Sequence, residues 1–277
     1  MATAAEVWAD LDDEALTRAR RFHRFYRLLA AMAAPRAALL YLRLRLRSPA
    51  GLRWLRRGGY SPWRAARAIA AGRLVRRAQR TTGRTPSPVV VWPAGMPSSC
   101  VIAYFHTTWD VVIAREVRDR RYCLIRSGPR RAEDLGQQHV AEDTAGLKSL
   151  VRRVAEGARC AVAADNFVPG PEPGFLGTGH ALNPAATRLA AITGAPLVTL
   201  WPTYQSGVLR FDLGTPIAAS TCAELPDEAL RTARQFFENA VRSDLASWRR
   251  IVSFLERAPD TGRPELASGG SIAQRSV

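Results

Sequence analysis

The chain has 277 residues, with 40 basic against 24 acidic side chains and a formal net charge of +16. That length buries a sizeable core, as one large domain or one domain with an extension. Four cysteines, at 100, 123, 160 and 222, form no CxxC pair and no metal-ligand spacing, which excludes a cysteine-held metal centre and a disulfide framework; they read as small buried side chains in a reducing compartment.

The charge is uneven. Residues 1–80 hold eighteen arginines and five acids, a net of +13, and the other 197 residues carry +3. From 15 to 109 there are nineteen arginines and no carboxylate, and Lys148 is the only lysine. Residues 1–80 therefore read as a basic amphipathic helical arm. Leu16, Phe22, Phe25, Leu28, Leu29 and Met32 space as one apolar stripe flanked by Arg18, Arg20, Arg21, Arg24 and Arg27. Pro35 ends or kinks that helix. The next segment alternates leucine and arginine from Leu42 to Arg47, which fits a strand by period and a helix by its neighbours. Trp54, Tyr60 and Trp63 lie among further arginines, and aromatic and arginine side chains together mark an interfacial helix; packing against a catalytic domain would use the same stripe. An anionic surface, phospholipid headgroups or nucleic acid, suits such an arm. The first fifteen residues are acidic, unlike a secretory signal. The best apolar stretch, 28–42, is interrupted by Pro35 and Arg36 and is shorter than the roughly 20 residues a bilayer span needs.

Residues 81–99 read as a linker around a short strand, Val89-Val90-Val91-Trp92. From 100 to 257 the pattern alternates between strand and helix. Strands are expected near 100–105, 121–126, 159–164, 196–201 and 208–213, and helices near 109–119, 143–156, 182–193 and 226–257. Gly157 and Gly194 suit helix C-caps. The fold class is thus α/β, a mainly parallel sheet covered by helices with a basic helical N-terminal arm. Residues 258–277 read as a disordered tail.

Chemistry concentrates in His106-Thr107-Thr108-Trp109-Asp110, which follows the apolar run Cys100 to Phe105. The histidine sits at the C-terminal edge of a strand, where open α/β sheets place ligands. A carboxylate one helical turn later, Asp110, could fix the imidazole tautomer and raise its basicity. The imidazole would then take a proton from a substrate hydroxyl attacking a carbonyl. No serine sits in a G-x-S-x-G elbow and no cysteine is placed as a nucleophile, so direct attack by the acceptor is the simpler chemistry. A satisfied structural histidine is the bland alternative. No third ligand accompanies the pair, so no metal is expected.

The stretch 102–217 resembles the lysophospholipid acyltransferase superfamily, with the closest look to the late acyltransferases of lipid A biosynthesis and their actinobacterial glycolipid relatives. The carriers, in order, are Ala103 to Asp110, Tyr122-Cys123-Leu124-Ile125-Arg126, Gly146-Leu147-Lys148-Ser149-Leu150 leading to Ala163-Ala164-Asp165-Asn166, Phe175-Leu176-Gly177, and Thr193-Gly194-Ala195-Pro196-Leu197-Val198. The resemblance implies acyl transfer from a thioester, acyl-CoA or acyl carrier protein, to a lipid hydroxyl, with no cofactor. It makes His106 the base and Asp110 its orienting acid. It adds Arg126, Asp165, Gly177, Thr107 and Trp109 as substrate-binding residues, Arg126 near a position that faces phosphate. For Arg126 and Asp165, a surface ion pair or strand-end cap is the plain alternative.

The family usually has four residues between histidine and acid; here there are three, and Val111 holds the expected acid position. A loop entering a helix can absorb that shortening, or the carboxylate can fall off the ring. The block Asp165-Asn166-Phe167 stands where glycerolipid enzymes carry a Phe-Pro-Glu-Gly type block, which favours the lipid A-like branch. The arginine common after the Gly-Ala-Pro strand is missing, with Thr203 and Tyr204 in that region. Under this resemblance the arm holds the enzyme on anionic lipid, peripheral to the cytoplasmic face of the membrane. A non-catalytic lipid or acyl-chain binder and an acyltransferase with a natural-product acceptor are the alternatives. No nucleic-acid module is recognisable, so no nucleic-acid partner is expected.

Overall fold

The computed structural model of the chain describes residues 4–81, 85–116, 122–126, 138–141, 144–170 and 174–257. The tail expected over 258–277 lies outside the described residues.

The N-terminal region is helical: α1 (Ala4–Trp8), α2 (Asp13–Met32), α3 (Ala34–Arg47), α4 (Pro49–Arg57) and α5 (Pro62–Thr81). Asp12 starts α2 by accepting the Ala15 N–H at 2.7 Å, and Ser48 starts α4 by accepting the Gly51 N–H at 3.2 Å. Pro35 falls in the first turn of α3, where its missing N–H costs nothing, so the chain bends at Ala33 between two helices. The leucine–arginine alternation resolves as helix. Leu40 and Leu44, four apart, are buried, while Leu39, Leu42 and Leu46 face out. The expected stripe of α2 also divides: Phe22 is fully buried, whereas Leu28 and Met32 are exposed.

The rest runs β1 (Val89–Val91), β2 (Cys100–Tyr104), α6 (Asp110–Glu116), β3 (Tyr122–Arg126), β4 (Gln138–Ala141), α7 (Thr144–Ala155), β5 (Arg159–Ala163), β6 (Val168–Pro169), β7 (His180–Ala181), α8 (Ala185–Thr193), β8 (Leu197–Gln205), β9 (Val208–Leu213), α9 (Ala219–Glu224), α10 (Pro226–Ser243) and α11 (Ile251–Arg257). Among the described residues, seven strands form one sheet in the order β1-β9-β8-β2-β5-β3-β4, and β6 pairs β7 separately. Strands β8, β2, β5, β3 and β4 are mutually parallel; β9 is antiparallel to β8, and β1 is parallel to β9. The fold is α/β, a mainly parallel sheet flanked by helices. Ser206 and Gly207, with φ of 48° and 91°, make the tight β8–β9 turn, whose hand requires positive φ at both positions. Gly194 caps α8 in the left-handed conformation, φ 69°.

The five principal strands fall where the apolar runs predict them. Strands β4, β6 and β7 escaped the pattern because they are two to four residues long. The helix expected over 226–257 is broken. Helix α10 stops at Ser243, a short 3-10 turn covers Leu245–Ser247, and Trp248 is extended before α11 begins. The amphipathic period of α10 and α11 runs through this break, which hides it from the sequence.

Residues 1–80 do not stand away from the sheet. Leu40, Leu44, Leu52, Leu55, Ala66 and Ile69 belong to the same core as Val101, Ala103 and Phe105 of the β2 segment. Phe22 and Val75 pack with Trp109, Val112 and Leu209. Helix α5 packs closely on the His106 loop: a Cβ on Gly72 would lie 2.8 Å from Thr108 Oγ1. The arginine-rich helices therefore form one wall of the domain.

Candidate active site

His106 and Asp165 come together because their strands are neighbours in register. Tyr104 of β2 pairs with Ala163 of β5, both parallel, and each site residue lies two positions beyond. The ladder continues past the strands, with the Ala164 N–H donating to Tyr104 O at 2.8 Å. The two side chains thus meet at the C-terminal edge of the sheet, beside its middle strand.

The imidazole Nδ1 lies 2.6 Å from Asp165 Oδ1. The His106 backbone N–H donates to Oδ2 of the same carboxylate at 3.2 Å, and the Trp248 indole N–H donates to it at 3.1 Å. Arg250 donates to the Asp165 carbonyl at 3.0 Å and brings its Nε to 3.7 Å from Oδ2. The Asp165 side chain is fully buried, yet every face of its carboxylate is met by a donor or a positive charge. With Nδ1–H given to Asp165, the neutral ring presents an unprotonated Nε2. Among the described residues nothing hydrogen-bonds Nε2, and the side chain is 21 % exposed.

Asp110 was expected as the acid that orients His106, and the ring bonds Asp165 instead. Asp110 Oδ1 accepts the Thr107 N–H at 2.7 Å and the Thr107 hydroxyl at 3.3 Å, and Oδ2 lies 3.5 Å from Arg249. The cause is the three-residue spacing. It makes Asp110 the first residue of α6, where its carboxylate folds back onto the loop's own backbone. Desolvation in the packed loop raises the Asp110 carboxyl pKa, against the pull of His106, the Thr107 N–H, Arg249 and Arg76. The carboxylate still acts on His106 through space, without a ring hydrogen bond.

Thr107 and Trp109, expected as substrate contacts, are buried at 0 % and 2 % exposure and face inward. Trp109 stacks on Tyr26 and Tyr204 and donates to Ser247 Oγ at 3.3 Å, so both residues hold the loop. Asp165, expected to touch substrate, instead holds the ring. Gly177 sits in the turn Phe175–Gly177 with φ 74°, a left-handed position that favours glycine. Arg126 ends β3 opposite Ala141, on the edge of the sheet that carries the site, and its side chain lies outside the described residues.

The break between α10 and α11 supplies what sequence reasoning missed. Residues 247–249 lie antiparallel along the His106 loop. The Thr108 N–H donates to Ser247 O at 2.8 Å, the Arg249 N–H donates to His106 O at 2.9 Å, and Thr107 bridges Trp248. Ser247 is itself fixed by Asp244, which accepts its hydroxyl and, at 3.3 Å, its N–H. Trp248 and Arg250 reach Asp165 from this strip. The one available signal was a tryptophan followed by two arginines inside an otherwise regular amphipathic helix.

Below the ring, Phe105 stacks on Phe237 at 4.2 Å between centroids and meets Phe175 and Trp248. This apolar floor fixes the backbone that carries His106. Three cysteines, 100, 160 and 222, are buried and outside any disulfide, and burial raises the Cys100 thiol pKa to about 11, far from the nucleophilic range. Among the described residues no His, Cys, Asp and Glu cluster suits a metal ion, and no helix is long and apolar enough to cross a membrane.

No family model matches the chain, and no curated protein matches it. Among solved structures, it is similar to the 1-acyl-sn-glycerophosphate acyltransferase PlsC of Thermotoga maritima. The sequence identity is 12 % and the TM-score 0.33, over 72 % of this chain and 97 % of that one.

Proposed function

We propose that the chain is an acyltransferase that moves a fatty acyl group from an acyl thioester to a lipid hydroxyl, with His106 as general base and Asp165 as its positioning acid. The observation that carries this reading is the His106 Nδ1–Asp165 Oδ1 contact of 2.6 Å at the C-terminal edge of the sheet, with Nε2 left unbonded. Nε2 takes the proton of the acceptor hydroxyl as its oxygen bonds the thioester carbonyl carbon. The tetrahedral adduct collapses, the carbon–sulfur bond breaks, and the imidazolium returns the proton to the leaving thiolate. Asp165 stabilises the imidazolium between those two events, and a base so placed contributes roughly 10²–10⁴-fold in rate. No acyl-enzyme is required.

The acceptor we infer is a lysophospholipid or glycolipid, the second favoured by the Asp165-Asn166-Phe167 block. The donor carrier is coenzyme A or acyl carrier protein. The position we infer is peripheral, at the cytoplasmic face, and the surface of the N-terminal helices supports the contact with an anionic leaflet. There Leu39, Leu42 and Leu46 lie at i, i+3 and i+7 on α3, exposed by 68 %, 50 % and 73 %, and Leu28, Met32 and Trp63 are exposed as well. Arg45 and Arg47 adjoin Leu46 in sequence, and each such cation near an anionic surface adds about 1 kcal/mol.

The test is release of free thiol from acyl-CoA in the presence of mixed lysophospholipids and glycolipids, with acylated product identified by mass spectrometry. His106→Ala should abolish acceptor-dependent release. Acyl-chain binding without release by the unaltered chain would instead mark a non-catalytic lipid binder.

A further inference from the structure

Helix α5 carries Arg73, Arg76, Arg77 and Arg80 at i, i+3, i+4 and i+7, which places four guanidinium groups on one helix face. That face lines a cavity of about 450 Å³ whose other walls include Thr108, Trp248 and Arg249, residues of the loop and strip that hold His106. The volume lies within the range of small-ligand sites. Five arginines therefore converge on a space adjoining the proposed active site.

Among the described residues, no carboxylate lines this cavity. Elsewhere in the fold, arginines meet carboxylates: Arg43 with Glu256 at 2.7 Å, Arg234 with Glu238 at 2.9 Å, Arg250 with Asp165 at 3.7 Å. Asp110 lies 3.5 Å from Arg249. Arg76 Nε is buried without a hydrogen-bond partner. Burial and the like charges of Arg249 and Arg80 lower its pKa to about 10, with Asp110 the opposing charge. Arg73 is lowered too, by burial and Arg43, and eased by Glu256. A crowded guanidinium with an unspent donor, as on Arg76, costs stability unless an anion completes it. Guanidinium forks match phosphate oxygens in geometry and charge.

We propose that this cavity is a phosphate-ester subsite, built by the α5 arginine face and Arg249, for a phosphate-bearing substrate of the proposed transfer reaction. The phosphate belongs either to the coenzyme A of the donor or to the headgroup of the acceptor. This assignment rests on the acyl-transfer reading for the identity of its ligands, while binding itself is measurable without turnover.

The experiment is calorimetric titration of the full chain with two soluble probes, coenzyme A and glycerol 3-phosphate. The variants are Arg73→Gln/Arg80→Gln, both at exposed positions, and Arg76→Gln. Arg188→Gln/Arg231→Gln, exposed on α8 and α10, matches the charge change away from the cavity. The cavity variants should weaken one probe by at least roughly tenfold, as loss of charge-assisted hydrogen bonds requires, and the control pair should not. Loss confined to coenzyme A assigns the donor; loss confined to glycerol 3-phosphate assigns the acceptor. Affinity within about twofold of the unaltered chain for both probes, equal loss in the control pair, or no binding of either probe to the unaltered chain overturns the subsite. Phosphate binding without any acyl transfer would leave the subsite standing and remove the acyl-transfer reading.

Discussion

Trp248 and His106 share one acceptor: the indole N–H and the His106 backbone N–H both reach Asp165 Oδ2, at 3.1 and 3.2 Å, leaving Oδ1 for the imidazole. The carboxylate cannot rotate away from the ring without breaking two further hydrogen bonds. Asp165→Asn keeps the shape but offers an amide where the ring needs an acceptor that also stabilises the imidazolium. Acyl transfer should fall by about 10²-fold or more. Asp110→Asn should stay within about threefold of the unaltered chain, because no ring hydrogen bond is lost. Thiol-release rates of the two variants, measured side by side, check the assignment, and the reverse ranking would return Asp110 to the ring.

Asp110 makes a separate prediction about stability. Its carboxyl pKa is raised in the fold, by desolvation first, so the folded chain binds this proton more tightly than the unfolded chain. Its contribution is fully present below the unfolded carboxyl range and is lost as pH rises through the folded pKa. Asp110→Asn keeps an oxygen for the Thr107 N–H and removes the charge. The variant should therefore gain thermal stability relative to the unaltered chain at pH 7 and lose that advantage near pH 4. Paired melting curves across this window read the sign; a larger advantage at the acidic end would contradict it.

Helix α5 touches the catalytic loop through a position with no side chain. A Cβ at Gly72 would sit 2.8 Å from Thr108 Oγ1 and 3.2 Å from its methyl group. Thr108 cannot yield freely, since its N–H is tied to Ser247 O. Gly72→Val should cost about 1–3 kcal/mol, the usual penalty for overpacking, even though the substitution removes a helix glycine. Denaturant unfolding measures it. Activity should fall further than stability alone explains, because the displaced loop carries His106.

The sheet and the position of His106 were legible in the sequence, since apolar runs of four to six residues name buried strands directly. The partner of His106 was not. His106 and Asp165 are 59 positions apart, and only the register of β2 with β5 makes them neighbours. Sequence spacing favours Asp110 because it is close along the chain, yet a carboxylate three residues past a loop N–H finds that N–H first. The Trp248 strip was hidden for another reason: its residues keep the apolar period of a helix while their backbone extends. In α3 the local alternation pointed to a strand, and Leu40 and Leu44, packed in the core, decide for helix.

The exposed leucines of α3 give the last prediction. Leu39, Leu42 and Leu46 form one face, and none contributes to the core formed by Leu40 and Leu44. Replacing all three by serine should leave the melting temperature within a few degrees, as surface changes do. Burying each leucine in an acyl layer would contribute roughly 1.5–3 kcal/mol, so the triple variant should lose most of its binding to anionic vesicles if this face inserts. Raised salt should weaken the unaltered chain only in part, because screening acts on the arginines and leaves the apolar contribution in place. Co-sedimentation with phosphatidylglycerol vesicles at low and high salt separates the two contributions. Undiminished sedimentation of the triple variant would move the membrane contact away from α3.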